Sequence, residues 1–243
     1  MSRQRADLLL VERGFFDSRA KAQAAIAAGL VLADGEMVRK ASQTVPVAAE
    51  IQAEPVHPYV SRGGVKLRAA LDHFGLSPTG MIAADIGSST GGFTQVLLEA
   101  GAAKVYAVDS GRDQLHASLA GHPRLVLMES TDARSLSSEM VAEPLDMIVS
   151  DVSFISLKLA LPAALALARQ GATFIALIKP QFEAGRKQIG KGGIVKDEAI
   201  QAAVCDDIAA WLPEIGWPVL GLAPSPILGG DGNREFLIAA RRA

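Results

Sequence analysis

A loop of small residues in the first half of the chain has the composition of a ligand-binding turn. It reads ADIGSSTGGF, from Ala84 to Phe93, and it follows an apolar run and precedes a helical pattern. Glycine and serine leave the backbone open to a ligand that packs directly against it. The spacing Gly87-x-x-x-Gly91-Gly92 does not match the G-x-G-x-x-G of dinucleotide-binding dehydrogenases, so a dehydrogenase is disfavoured.

The loop fits the acid-x-Gly-x-small-x-Gly pattern with which Rossmann-like methyltransferases bind S-adenosylmethionine. Asp85 is expected to face the ammonium end of this cofactor, directly or through water. Asp109 and Asp132 follow the next two apolar runs, where acids can bind the ribose hydroxyls and lie beside the adenine amino group. A different explanation is that the glycines only make a tight turn and the acids only cap helices. The loop residues predicted to bind the cofactor are Gly87, Ser88, Ser89, Gly91, Gly92 and Phe93.

Groups suited to acid–base chemistry stand at the ends of other apolar runs. Asp151 and Lys179 each end one run, and Glu235 begins the last. Ligands bind at the carboxyl ends of strands in α/β sheets, and an antiparallel last strand would begin at that same rim. A lysine on a buried strand end is partly desolvated, which lowers its pKa toward neutrality. Two surface ion pairs, Lys179 with Asp151 and Lys66 with Glu235, explain these residues equally well.

The elements that must position these groups are read from the alternation of apolar runs and helical patterns. Seven runs have the length of strands: MIAADIG, KVYAVDSG, RLVLMES, LDMIVSD, ATFIALIKP, PVLGLAPSP and REFLIAARR. Helices are predicted over SRGGVKLRAALDHFGL, GGFTQVLLEAGA, GRDQLHASLAGH, SLKLALPAALALARQG and DEAIQAAVCDDIAAWLPEIG. This order predicts an α/β, Rossmann-like methyltransferase fold with a mostly parallel seven-stranded sheet covered on both faces.

The predicted helices and strands of the N-terminal region are shorter and more closely spaced, and they are expected to form a small α+β domain over residues 1–56. Two helices are predicted, the second capped by Asp17 or Ser18 and ended by Gly29. LVLADGEMV indicates a hairpin about an Asp-Gly turn, and VPVAAEIQAE a further strand pair or meander. Two prolines in PVHPYV mark a linker over 57–62, which leaves 63–243 for the α/β domain.

Composition narrows the class of protein. The formal net charge is -2, so nucleic acid would have to bind a local patch, because no global basic field is present. One cysteine, Cys205, can form no internal disulfide and no cysteine cluster for a metal, and it is expected to be a small buried helix residue. The N-terminus lacks the apolar core of a signal peptide, and no run approaches the roughly 18 residues of a membrane span. A cytoplasmic protein is therefore expected.

The whole chain resembles the TlyA family, the hemolysin A-like rRNA methyltransferases with an FtsJ-type catalytic domain. The resemblance is carried, in order, by YVSRGGVKL, DIGSSTGGFTQVLL, VYAVDSGRDQL, SDVSFISL, LIKPQFEAGR, GKGGIVKD and GNREFL. The first 56 residues resemble the RNA-binding domain named after ribosomal protein S4. The positions that keep the spacing of that domain are Arg5, Asp7, Ser18, Arg19, Ala22, Ile26, Gly29 and Gly35.

The resemblance implies methyl transfer from S-adenosylmethionine to ribose 2'-hydroxyls of ribosomal RNA, typically at cytidines. The Lys-Asp-Lys-Glu tetrad of FtsJ-type enzymes falls on Lys66, Asp151, Lys179 and Glu235. Lys179 would be the general base, Lys66 and Asp151 would orient its amine and the hydroxyl, and Glu235 would hold the lysines. No metal is expected, because a sulfonium is already a good leaving group.

RNA contacts are expected from basic residues on both domains: Arg5, Ser18, Arg19 and Lys21 in the first, and Arg62, Arg68, Arg186, Lys187 and Lys191 in the second. The glycine-rich segment 185–196 is expected to be a mobile lid that RNA orders. With only 5% aromatic residues, phosphate and shape contacts are favoured over stacking. Phe154 and Phe182 could stack on one splayed base, but core packing is the expected role of each.

Two other classes of function stay open at this point. The chain could be an RNA-binding ribosome-assembly factor with weak or no catalysis, or a membrane-lysing protein, as the older family name suggests. No amphipathic or spanning segment supports the second. The expected partners are ribosomal RNA or ribosomal subunits, with no membrane. The sequence predicts neither the target nucleotide and subunit nor the oligomeric state.

Overall fold

In the computed structural model the chain forms two compact units, Met1–Pro58 and Tyr59–Ala243. The structure describes residues 2–185, 188–190, 192–230 and 232–243. Three of the predicted RNA-binding residues, Arg186, Lys187 and Lys191, lie outside the described residues.

The N-terminal unit packs two short helices against two small sheets. Its elements are β1 (Arg3–Arg5), α1 (Ala6–Glu12), α2 (Arg19–Ala27), β2 (Val31–Ala33), β3 (Glu36–Met37), β4 (Thr44–Pro46) and β5 (Ile51–Ala53). Ser18 is the residue that caps α2, where its hydroxyl accepts from the backbone N–H of Lys21. The hairpin is confirmed, since β2 pairs antiparallel with β3 across Asp34 and Gly35, both at positive φ. The two strands of VPVAAEIQAE do not pair with each other, because β4 pairs with β1 and β5 with β2.

The larger unit contains the predicted seven-stranded, mostly parallel sheet. Its strands are β6 (Ile82–Ile86), β7 (Lys104–Val108), β8 (Leu125–Met128), β9 (Leu145–Ser150), β10 (Ala168–Ile178), β11 (Val219–Pro224) and β12 (Phe236–Arg241). Their order is β11-β12-β10-β9-β6-β7-β8, and β12 is antiparallel to both of its neighbours. β12 therefore begins at the rim where the parallel strands end, which is the expected position of Glu235.

Helices cover both faces of this sheet. They are α3 (Arg62–Phe74), α4 (Gly92–Glu99), α5 (Leu157–Ala160), α6 (Pro162–Ala166), α7 (Pro180–Glu183) and α8 (Glu198–Glu214). One buried cluster, with Leu67, Leu97 and Leu177, lies beneath α3 and α4. The other, which includes Phe174, Ile208 and Trp217, lies beneath α5, α6 and α8. Cys205 is buried on α8, as expected.

Two predicted helices differ from the structure. GRDQLHASLAGH forms only a 3-10 turn at Ala117–Leu119, so the helix prediction there is wrong. The reason is a distant side chain: the Glu129 carboxylate accepts from three successive backbone N–H groups, beginning at Asp113, which has a positive φ. SLKLALPAALALARQG breaks at Pro162 into α5 and α6, and β10 begins already at Ala168.

The register of the sheet brings the important strand ends together. Ile178 of β10 pairs with Phe236 of β12, so the residues just beyond them, Lys179 and Glu235, are neighbours at the rim. Ile86 of β6 pairs in the same way with Ser150 of β9, so the residue after Ile86 meets the residue after Ser150. Those residues are Gly87 and Asp151. The sheet therefore places the small-residue loop beside the acid–base groups.

Candidate active site

The loop between β6 and α4 is closely packed by the chain itself. Gly87 has φ +86°, and a Cβ there would lie 3.1 Å from the backbone of Val152. Gly91 has φ +90°, and a Cβ there would lie 2.5 Å from a methyl carbon of Leu119. Both positions therefore need glycine for the fold alone. Tight-turn geometry and an open backbone coexist here, so the two explanations of the glycines are not exclusive.

A cavity of about 580 Å³ opens beside this loop, at the ends of β6, β7 and β9. Gly87, Ser89, Asp109 and Asp132 line it together with the 151–155 segment. Its volume lies within the range of small-molecule sites, roughly 300–1,000 Å³. Asp109 ties two loops together, because its carboxylate accepts from the backbone N–H of Ser89 and of Gly111, both at 2.7 Å.

Asp132 is fixed in the wall of this cavity by its neighbour. Its carboxylate pairs with the Arg134 guanidinium at 2.6 Å and also accepts from the Arg134 backbone N–H. These bonds lower the pKa of Asp132 to about 2. The group is therefore a carboxylate acceptor at any physiological pH, as contact with a ligand amino group requires.

Asp85 occupies a different environment from the one expected. It is fully buried and is not among the described residues that line either of the two cavities of this site. Its Oδ2 accepts from the Thr94 hydroxyl at 2.7 Å, whereas Oδ1 has no hydrogen-bond partner in the described part of the chain. Burial raises the pKa of Asp85 to about 7, and the nearby charges of Asp151 and Asp109 add to this. Its role as a cofactor-binding residue stays a prediction.

A second cavity of about 270 Å³ adjoins the first. Lys66, Lys179 and Asp151 line it, together with Arg62 and the predicted loop residues Ser88, Gly92 and Phe93. Gly91 is not among the described residues that line either cavity, so its contact with the cofactor stays a prediction. Gly87, Ser89, Asp151 and Ser153 line both cavities. The two spaces therefore meet at the residues that follow β6 and β9.

The four predicted acid–base residues form two buried ion pairs. Nζ of Lys66 donates to Oε2 of Glu235 at 2.5 Å. Nζ of Lys179 lies 2.7 Å from Oδ1 of Asp151, which is ion-pair distance, although the angle is not that of a hydrogen bond. Lys66, Lys179 and Glu235 are each less than a tenth exposed, so these are not surface ion pairs.

Glu235 stands apart from the other three residues. It lines a separate cavity of about 150 Å³ and is not among the described residues of the wall shared with Lys66. Its partner Lys66 reaches the smaller cavity. The structure thus brings Lys66, Lys179 and Asp151 to one space and places Glu235 behind Lys66. Burying charges costs solvation energy that an ion pair repays only in part, so such pairs beside a cavity are weak evidence for stability and favour a chemical role.

Sequence reasoning missed the part played by the 151–156 loop. The Lys179 amine donates to the Ser153 hydroxyl at 2.8 Å. The Glu183 carboxylate accepts from the Ser156 hydroxyl and the Leu157 backbone N–H, at 2.6 and 2.8 Å. Burial raises the pKa of Glu183. The Asp-x-Ser spacing after a strand was the available signal for Ser153, but the Glu183 contacts had no local signal.

Core packing is the wrong role for Phe154. Its side chain is 90% exposed, its φ is +64°, and it lines the larger cavity. Its ring lies against Phe182, with centroids 5.0 Å apart and planes tilted by 49°. Phe154 is held at the rim because the strand has ended and the chain turns sharply there. An exposed aromatic ring at a cavity mouth is a platform for a flat ligand group.

The chain is similar over its full length to known RNA-modifying proteins. The FtsJ-like methyltransferase family matches residues 59–242, and the S4 domain family matches residues 4–51. The chain is 41% identical over 241 residues to the 16S/23S rRNA (cytidine-2'-O)-methyltransferase TlyA of Mycobacterium tuberculosis, covering 98% of this chain and 90% of that protein. The chain belongs to the TlyA family of rRNA methyltransferases.

Two further relatives are named as hemolysins. Hemolysin A of Brachyspira hyodysenteriae is 38% identical over 234 residues, covering 96% of this chain and 98% of that protein. A solved structure of a candidate hemolysin from Streptococcus thermophilus matches with a TM-score of 0.78 and 41% identity, covering 100% of this chain and 90% of that chain. In the described part of this TlyA-family chain, no helix is both long and apolar enough to cross a membrane.

The predicted RNA-binding residues of the S4 unit are mostly engaged within it. The guanidinium groups of Arg5 and Arg19 both donate to Asp7, which is fully buried. The hydrogen bonds from Arg5 hold the pKa of Asp7 well below its usual range. Lys21 pairs with Asp17 at 2.8 Å. The ion pairs with Asp7 fix the position of both arginine side chains. Both side chains stay about half exposed, so part of each guanidinium remains accessible to a phosphate group.

In the catalytic unit the two predicted arginines of α3 differ. Arg62 lines the smaller cavity, and its contact with RNA stays a prediction. Arg68 forms an exposed ion pair with Asp72 on the same helix, at 2.5 Å. Such a pair leaves Arg68 less available, and its contact with RNA stays a prediction.

Proposed function

We propose that this TlyA-family enzyme transfers the methyl group of S-adenosylmethionine to a ribose 2'-hydroxyl of ribosomal RNA, at a cytidine. The observation that carries the proposal is the meeting of two cavities at Asp151 and Ser153, with Lys66 and Lys179 in the wall of the smaller one. A donor molecule in one space and a hydroxyl in the other would meet beside an amine. The names of the relatives support RNA as the substrate and cytidine as the target.

The larger cavity has the donors and acceptors that this cofactor needs. Asp109 follows β7, where an acid can accept from ribose hydroxyls, and Asp132 presents a carboxylate to an amino group. The backbone at Gly87 and Ser89 faces the same space without bulky side chains. When bound, S-adenosylmethionine supplies a methyl group already activated on a sulfonium.

The residues of the smaller cavity are suited to deprotonate an alcohol. A ribose hydroxyl is a weak nucleophile until a base removes its proton. Lys179 is the base that accepts that proton, and the Asp151 carboxylate 2.7 Å away stabilises the ammonium that forms. Lys66, held by Glu235, places a positive charge near the developing oxyanion. Alignment of the reacting atoms supplies much of the remaining rate enhancement.

The proposed RNA contacts combine charge with one aromatic surface. Arg62 at the smaller cavity would bind phosphate, and Phe154 at the mouth would stack on the base of an unpaired nucleotide. The S4 domain, assigned to residues 1–56 with 57–62 as linker before the methyltransferase domain at 63–243, would hold a neighbouring part of the RNA. An enzyme with this substrate works in the cytoplasm, where ribosomes are assembled.

Lys179→Ala tests the proposal. Methyl transfer is measured with tritium-labelled S-adenosylmethionine and ribosomal subunits from cells that lack the protein, and the modified ribose is mapped. The variant should lose more than a hundredfold in rate while cofactor affinity, measured by calorimetry, changes little. Full activity of the variant would refute the assigned base. RNA binding by the wild-type protein with no transfer to any ribosomal RNA would favour the assembly-factor alternative.

A further inference from the structure

We propose that Ser153 is a positioning residue that orients the Lys179 amine toward the smaller cavity. The inference rests on the proposed function, because it gives a geometric role to the base. It concerns the side chain two residues after Asp151, which lines both cavities at the place where they meet.

The valence of a neutral amine restricts the direction from which it can accept a proton. Such a nitrogen has two N–H bonds and one lone pair, and only the lone pair can accept a proton. Nζ of Lys179 donates to Oγ of Ser153 at 2.8 Å, and it lies 2.7 Å from Oδ1 of Asp151, an ion-pair contact without hydrogen-bond geometry. The backbone oxygen of Asp151 accepts a second, longer hydrogen bond from the same nitrogen, at 3.4 Å. When the Ser153 hydroxyl and the backbone oxygen of Asp151 each hold an N–H, the lone pair takes the remaining direction.

Asp151 alone would not fix that direction. A single carboxylate contact leaves the terminal C–N bond of lysine free to rotate, so the lone pair would sample several directions. Ser153 supplies the second point of attachment and stops the rotation. The hydroxyl keeps its own hydrogen, which stays available for a group in the cavity.

The loop that carries Ser153 has other anchors, so the hydroxyl is not required to hold it. Phe154 rests on Phe182, and Glu183 holds the N-terminus of α5 through Ser156 and Leu157. Ser153 itself is exposed. Removal of its hydroxyl should therefore leave the fold, the loop and both cavities unchanged.

Ser153→Ala and Ser153→Thr test the inference under single-turnover conditions with saturating RNA and cofactor, where product release does not mask the chemical step. Alanine should lower the rate of methyl transfer five- to thirtyfold, as expected for loss of one hydrogen bond to a charged or polar partner. The Kd for cofactor and the half-saturating RNA concentration should each stay within twofold of wild type. Threonine restores the hydroxyl and should return the rate to within threefold. Ser138→Ala, which changes an exposed serine that is not among the described residues of either cavity, is the matched control.

The outcomes separate this inference from the proposed function. A Ser153→Ala rate equal to wild type, with Lys179→Ala inactive, would overturn the role of Ser153 and leave the base assignment standing. An active Lys179→Ala would overturn the base itself. Weaker cofactor binding without a slower chemical step would make Ser153 a ligand contact. Failure of threonine to restore the rate would show that the hydroxyl is not what matters.

Discussion

Asp85→Asn should make the larger unit more stable, and increasingly so as the pH rises. Asp85 is fully buried, Thr94 alone donates to it among the bonds described, and its pKa is raised to about 7. Asparagine has nearly the same shape and stays neutral at every pH. The substitution therefore removes only the ionisation of a group that the fold holds in a poor environment for charge.

The sign and size of the expected stability difference follow from proton linkage. In the unfolded chain Asp85 ionises near pH 4, whereas in the folded chain it does so near pH 7, so the folded state binds its proton more tightly. The contribution of this proton to stability is complete below about pH 4 and is lost progressively up to about pH 7. At about 1.4 kcal/mol per pKa unit, the loss is on the order of 1–2 kcal/mol at pH 5 and 4 kcal/mol at pH 8. The stability difference between variant and wild type should thus grow by about 2–3 kcal/mol between these pH values.

Urea unfolding followed by tryptophan fluorescence measures this difference. Both tryptophans, Trp211 and Trp217, belong to the larger unit, so the signal follows its unfolding. Any constant cost of placing an amide at this site cancels between the two pH values. Asp113→Asn, which removes an exposed carboxylate, is the control. The variant and the wild type could instead differ by the same free energy of unfolding at pH 5 and pH 8, or by less as the pH rises. Either result would refute the assignment of Asp85 as a buried acid with a raised pKa.

Two further predictions concern the rim. Glu235→Leu should lower the free energy of unfolding in urea by about 3–5 kcal/mol, because it leaves the Lys66 ammonium buried and unpaired. The double variant Lys66→Met and Glu235→Leu should recover most of that stability and still show no methyl transfer. If the double variant were active, the pair would be structural only. Phe154→Ala should leave thermal unfolding unchanged, since the ring is exposed, and should raise the half-saturating RNA concentration about tenfold with unchanged cofactor affinity. Equal RNA dependence of variant and wild type would remove the ring from the RNA contact.

The sheet could be predicted because its strands are buried on both faces. Runs such as MIAADI and DMIVS are mostly apolar without a regular alternation of apolar and polar residues, which is the pattern of parallel strands between helix layers. The 111–122 segment could not be predicted, because its helical periodicity is overridden by Glu129, a residue from the next strand end. Residue type alone favours core packing for Phe154, and only the turn geometry and the exposure of the ring show that it faces outward.

The site residues also fall into two groups: those whose position follows from the nearby strand, and those whose position depends on distant parts of the chain. Asp109, Asp132, Asp151 and Lys179 follow strands, so the topology of the sheet alone predicts that they share a rim. Lys66 has no such signal: it lies on α3 beside the buried Leu67, and its only described partner is 169 positions away. Residue type assigns an ammonium group to solvent, although Lys66 lies one turn before Ala70 on the buried face of α3. The contact becomes intelligible once β12 is antiparallel, because that reversal brings Glu235 to the end of the sheet where α3 begins. The chemistry of this rim therefore depends on one strand direction, and a parallel β12 would have left Lys66 without its carboxylate.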